Sequence, residues 1–292
     1  MFIPNNFMAL HQNLSAYDAS QVVILPVPYD ATLSYRPGSR LGPRAIIEAS
    51  RNVETFDLEI MADPSVAGIH TLDEVEPDMR GPEHMVSKVQ GLTKPLLADR
   101  KFVIMLGGEH SLTCGAVAAH KARHEHISVL QIDAHLDLRD EYEGTPYNHA
   151  CVMRRIFDLC EFVQVGIRSG CAEEYEFARR KKLRPFFAHD LDRDGKWMEQ
   201  AIARLGENVY ITIDLDGLDP AVIPAVGTPE PGGLGWFETL KLLRMVCERR
   251  HVVGADVMEL SPIPGNVQGD FAAAKLVYKL IGYRFGLQDQ SG

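Results

Sequence analysis

The sequence predicts an α/β fold of three layers, a mainly parallel central sheet with helices on both faces. Three observations carry that reading. Short apolar runs rich in Val, Ile or Phe recur along the chain, segments with helical spacing lie between them, and polar clusters stand just after several of the runs.

Taken in order, the first run is Val22–Val27, and the Pro- and Gly-bearing stretch Pro26–Gly42 reads as a loop. Met85, Val86, Val89, Leu92 and Leu96 then repeat at helical spacing. The runs Phe102–Leu106, Ile127–Ile132, Phe162–Ile167 and Val209–Ile213 follow as strands, and Gly227–Gly235 as a second loop. Phe237, Leu240, Leu243 and Val246 mark another helix before the strand Val252–Val257. Ser261–Gly269 is a third loop, and Phe271–Ile281 a final helix. Parallel sheets bind ligands at the carboxyl ends of their strands, so the residues after each run carry the functional information.

With 292 residues and 46% hydrophobic content, the chain can bury one large core, and residues 1–292 read as one domain. Met1–His11 lacks the basic stretch and apolar run of a signal peptide, and no apolar stretch is long enough to span a bilayer. A cytoplasmic protein without membrane contact is expected. Five cysteines, an odd number with no CxxC pair, argue against a disulfide framework and against a thiolate zinc site. The net charge of −10 argues against a nucleic-acid binder and favours cationic partners.

Three strand ends concentrate metal-competent side chains: Gly107-Gly108-Glu109-His110-Ser111, Asp133-Ala134-His135-Leu136-Asp137, and Asp214-Leu215-Asp216-Gly217-Leu218-Asp219-Pro220. Extended chain would place Asp133, His135 and Asp137 on one side, and Asp214 with Asp216 likewise. An isolated DxD is weak evidence. Six such residues at three strand ends are not, because acids gathered without counter-charge resist ionisation and call for cations. His110, Asp133, His135, Asp137, Asp214 and Asp216 exceed what a tetrahedral zinc site uses. Two ions are implied, and the oxygen-rich set favours Mn²⁺.

These segments resemble the signatures of the ureohydrolase family, which includes arginase and agmatinase: GG[DE]HS, DAHxD and SxDxDxxDP, with Thr212 where serine is usual. Gly227–Gly233 resembles its GTPEPGG loop. Glu109, the Leu136–Glu143 stretch leading into Asn148–Arg155, and the loop Tyr29–Pro43 resemble the agmatinase branch. The resemblance implies an arginase-like fold and two Mn²⁺ ions. His110, Asp133, Asp137 and Asp214 would hold one ion, and His135, Asp133, Asp214 and Asp216 the other. It implies attack by a metal-bridging hydroxide on the guanidinium of agmatine, giving urea and putrescine, as in polyamine biosynthesis. Glu230 would orient the guanidinium, Asp137 would carry the proton, and His149 would shuttle it to solvent. A homo-oligomer, trimer or hexamer, is the family habit.

Aminopropylagmatine, guanidinobutyrate and arginine stay open as substrates, with Glu173 and Glu174 as candidate acids for a cationic far end and Tyr35-Arg36-Pro37-Gly38 at the pocket mouth. Arg154 and Arg155 read as salt-bridge formers, Cys151 as a small buried residue, and Asp219 as a support for the turn at Pro220. A one-metal deacetylase of related fold needs fewer ligands than are present. A non-catalytic relative would cheaply have lost a ligand, and none is missing. Gly107-Gly108 lacks the third glycine of a dinucleotide-binding loop.

Overall fold

The computed structural model describes residues 3–193 and 195–287. Eight strands form one sheet: β1 Val22–Val27, β2 Ile69–Thr71, β3 Phe102–Gly107, β4 Ser128–Ile132, β5 Glu161–Ile167, β6 Phe186–Phe187, β7 Asn208–Asp214 and β8 His251–Met258. Their order is β2-β1-β3-β8-β7-β4-β5-β6, and every pairing is parallel. All six expected strands are present. The sequence reading missed β2 and β6, which lie at the two edges and span 3 and 2 residues, too short to carry a periodic signal.

Alternation along the strands divides the core in two. Val22, Ile24, Ile104 and Leu106 face one apolar layer, whereas Val23, Leu25, Val103 and Met105 face the other. The helices are α1 Gln12–Ser15, α2 Gly42–Ser50, α3 Pro82–Ala98, α4 Thr113–Arg123, α5 Val152–Phe157, α6 Ala172–Lys181, α7 Trp197–Ala203, α8 Trp236–Arg249 and α9 Gln268–Ile281. Residues of α2, α7, α8 and α9 enter the first layer, and residues of α3, α4, α5 and α6 the second. The three-layer expectation is borne out. Phe237 was expected on the core face of α8, but it is 81% exposed in the first turn, while Leu240, Leu243 and Val246 are buried.

Two glycines allow the chain to close tightly around the sheet's carboxyl edge. A Cβ on Gly108 would stand 1.8 Å from the Tyr29 carbonyl oxygen, and one on Gly217 would meet the Asp133 amide nitrogen at 2.6 Å. Neither position has room for a side chain. These approaches draw the β1 loop and the β7 loop against the ends of β3 and β4.

Candidate metal centre

The four adjacent central strands β3, β8, β7 and β4 deliver the site. His110 follows β3, Asp133 to Asp137 follow β4, Asp214 ends β7, and Asp216 sits in a single 3-10 turn beyond it. Continued extended chain, the period-two expectation, accounts for Asp133 and His135 but not for Asp137 or for Asp216. Parallel pairing carries on past β4 as far as a bridge from His135 to Ser169, and only then does Asp137 leave the extended region, at φ +52°. Its carbonyl then accepts the Met153 and Arg154 amides at the start of α5, which fixes the strained turn.

The six candidate ligands meet. His110 Nδ1 lies 3.1 Å from Asp133, 3.2 Å from Asp137 and 3.3 Å from Asp214. His135 Nδ1 lies 2.9 Å from Asp216 and 3.6 Å from Asp133. Asp133 thus turns Oδ2 to the first group and Oδ1 to the second, the disposition of a bridging carboxylate. Backbone amides hold the acids: Asp133 accepts from His135, Asp214 from Asp216, and Asp216 from Ala134.

Hydrogen bonding behind His110 decides which ring nitrogen is free. The Thr212 hydroxyl donates to Asp256 Oδ1 at 2.6 Å, so it accepts from His110 Nε2–H at 2.8 Å. Tyr210 donates to the other oxygen of Asp256 at 2.8 Å. Nδ1 is left with its lone pair aimed at three carboxylates, buried and without a hydrogen-bond partner. Lone pair against carboxylate oxygens is repulsive unless a proton or a metal cation lies between them. This orphaned nitrogen shows that the residues present fit a metal ion, and the two overlapping groups fit two.

The electrostatics agree. Burial pushes Asp137 up to about 7, with Asp133 adding to the shift, and raises Asp214 and Glu259 well above the carboxylate range, helped by Asp216 and Asp133 at the first and by Asp214 at the second. Asp133 falls, because His110 and His135 overcome the burial that opposes ionisation. Both imidazoles are driven up by the surrounding acids against burial. Divalent cations would replace those protons.

Above the ligands opens a cavity of about 280 Å³. Its floor is His135, Asp137, Asp214 and Asp216; its wall includes His149, Glu259 and Thr228, and its mouth Tyr35, Arg36, Arg139 and Tyr142. His149 is thus placed in the pocket, with its amide on the Thr32 hydroxyl at 2.9 Å and Nδ1 3.9 Å from Glu259. Burial holds its ring down at about 4, so it is neutral near pH 7.

Glu230 is placed differently from the expectation. It is not among the residues lining the cavity, its side chain is 39% exposed, and it stands 3.9 Å from His135 Nε2, behind the ligand ring. Glu259, which the sequence reading passed over, lines the cavity; its Oε1 accepts the His110 amide at 2.7 Å. The available signal was its place two residues after the expected strand Val252–Val257. Arg168 was also missed. Its guanidinium clamps the carbonyls of Asp216, Glu230 and Pro231, tying the β7 turn to the Gly227–Gly235 loop.

The remaining expectations are resolved simply. Glu174 lines the cavity, but its carboxylate is bound to the amides of Leu138 and Cys171; Glu173 is exposed on α6. Arg154 and Arg155 both reach Asp140, Cys151 is buried, and Asp219 accepts the amides of Ala221, Gly232 and Gly233. No helix among the described residues is long and apolar enough to cross a membrane.

Comparison with known proteins gives a consistent result. The model of the arginase family matches residues 20–282. The chain is 41% identical to N(1)-aminopropylagmatine ureohydrolase of Synechocystis sp., over 96% of this chain and 94% of that one. It is 36% identical to an agmatinase of Pyrococcus horikoshii, covering 89% and 90% of the two chains. Among solved structures, the agmatine ureohydrolase of Thermoplasma volcanium superposes with a TM-score of 0.90 at 34% identity, over 99% of this chain and 97% of that one.

Proposed function

The chain belongs to the arginase family and is an agmatinase-like ureohydrolase; from that premise we propose that it uses two Mn²⁺ ions to hydrolyse N(1)-aminopropylagmatine to urea and the corresponding triamine. Agmatine, the simpler guanidine expected from sequence, is the second reading. The observation that carries the chemistry is His110 Nδ1, buried without a hydrogen-bond partner among the oxygens of Asp133, Asp137 and Asp214. The greater identity to the aminopropylagmatine enzyme favours the longer substrate.

In this reading His110, Asp133, Asp137 and Asp214 would hold one ion, and His135, Asp133, Asp214 and Asp216 the other. The oxygen-rich donor set suits Mn²⁺ better than Zn²⁺. Bound there, the ions would acidify water toward neutrality and supply the nucleophile that a resonance-stabilised guanidinium needs.

The chain's own residues do the rest. Glu259 lines the cavity with Oε1 held by the His110 amide, and its carboxylate takes the guanidinium N–H groups. That role passes to Glu259 because Glu230 stands outside the cavity, with a carboxylate oxygen 3.9 Å from His135 Nε2. Asp137, in the floor, carries the proton to the leaving amine, and neutral His149 in the wall exchanges it with solvent. Tyr35 stands at the mouth, where its ring can meet the cationic far end; the Tyr142 ring is already covered by the Arg139 guanidinium at 4.5 Å.

The test is kcat/KM for urea release from aminopropylagmatine, agmatine, 4-guanidinobutyrate and arginine. A preference for aminopropylagmatine over agmatine of about tenfold or more, worth ~1.4 kcal/mol, is expected. Equal or better use of agmatine moves the substrate to the second reading and leaves the mechanism intact.

A further inference from the structure

At the opposite edge of the sheet, by the amino ends of β3 and β8, lies a second cavity of about 270 Å³. Its lining carries Arg100, Lys101, Arg123, His124, His251 and Arg284, and no Asp or Glu. That is an unusual concentration in a chain whose 40 acidic residues outnumber its 30 basic ones. The residues come from separate parts of the chain: Arg100 and Lys101 after α3, Arg123 and His124 at the end of α4, His251 at the start of β8, and Arg284 after α9.

None of the four Arg and Lys residues forms a salt bridge among the described residues. Lys101 is directed to the carbonyls of Tyr17 and Ser20. Arg284 gives Nε to the Val252 carbonyl and lies against the rings of Phe285 and Phe102, at 4.9 and 5.8 Å. Asn208 Oδ1 accepts from His251 Nδ1 at 2.9 Å, so His251 Nε2 is a lone pair facing Arg284 Nη2 at 3.3 Å. Arg284 is therefore hydrogen-bonded by neutral groups, which leaves its charge uncompensated. Arg100 and Arg123 are exposed, with no hydrogen-bonded side-chain partner among the described residues. Like charges gathered on low-dielectric walls repel one another and focus the field on any anion that enters.

We propose that this cavity is an oxyanion site, separate from the metal centre, that takes a phosphate or the phosphoryl end of a larger molecule. Guanidinium forks match tetrahedral oxyanions in geometry, and a multiply charged anion answers several cations at once. Helix carboxyl ends account for these cations one at a time, Arg284 after α9 included, but not for their gathering around one cavity without a single acid.

The test is calorimetric titration of the Mn²⁺-loaded enzyme with inorganic phosphate, pyrophosphate and ADP at fixed ionic strength. The comparison protein is the double variant Arg100→Asn and Arg123→Ala; asparagine tolerates the positive φ of Arg100. Both positions are exposed, so urea release stays at the parent level and reports an intact fold. The proposal expects saturable binding that weakens about tenfold or more in the double variant, ~1.4 kcal/mol or more. Phosphate bound as tightly as ADP identifies the free ion; tighter ADP or pyrophosphate identifies a phosphorylated molecule. Absence of binding by all three, or equal binding by parent and double variant, overturns the site.

Discussion

His110 directs Nε2 to the Thr212 hydroxyl, 2.8 Å away, and that contact settles which nitrogen of His110 meets the acids. Thr212 can accept the N–H because its own proton is committed to Asp256, its direct partner in the β7–β8 pairing. Thr212→Val removes the acceptor and nearly preserves shape. Affinity for the ion on the His110 side should fall about 10- to 100-fold, whereas Thr212→Ser, which keeps the hydroxyl, should bind as the parent does. Metal content after dialysis, measured by mass spectrometry, distinguishes the two.

The two glutamates should separate kinetically. Glu259→Gln removes a charge from the cavity wall, and kcat/KM should fall about 100-fold or more with two ions retained. Glu230→Gln leaves the cavity intact, so its principal effect should be weaker binding of the ion on the His135 side. Steady-state kinetics with parallel metal analysis checks both. The reverse pattern would return the guanidinium to Glu230.

His149→Asn should lower kcat about 10²-fold, within the range for a lost proton carrier, without changing metal content. Added imidazole should restore part of the rate. A His149 that merely packed beside Thr32 would show no such rescue.

His120 provides a pH test away from the metal centre. Its ring is fully buried, Nδ1 bonds the Ala116 carbonyl at 2.9 Å, and burial pushes its pKa from 6.5 down to about 4. The unfolded chain binds this proton below 6.5 and the folded chain only below about 4. The stability that depends on the neutral ring is therefore complete above pH 6.5 and lost as pH falls toward 4. Between pH 6.5 and 5 the parent should lose ~2 kcal/mol more than His120→Leu. Urea denaturation at the two pH values measures it.

Much of the site is legible in the sequence because strand ends label themselves. DAHLD and DLDGLD carry several ligands within a few residues, and with the GGEHS segment they make His110, Asp133, His135, Asp137, Asp214 and Asp216 stand out from the residue order alone. Glu259 does not, since a single acid after β8 repeats no pattern. The Thr212–Asp256 contact is invisible for another reason: it depends on β8 lying beside β7, a register that local sequence does not encode. Glu230 shows the limit of motif reasoning, because a loop signature gives proximity to the site without saying which side of His135 the carboxylate occupies.

The most direct test of the central claim is urea release from aminopropylagmatine and agmatine by metal-stripped protein, before and after reloading with Mn²⁺, with Asp133→Ala as control. Expected are no urea from the stripped protein, release restored at about two ions per chain, and none from the variant, which lacks the carboxylate shared by the His110 and His135 groups. Equal release with and without metal, or no release from either guanidine at full loading, would contradict it.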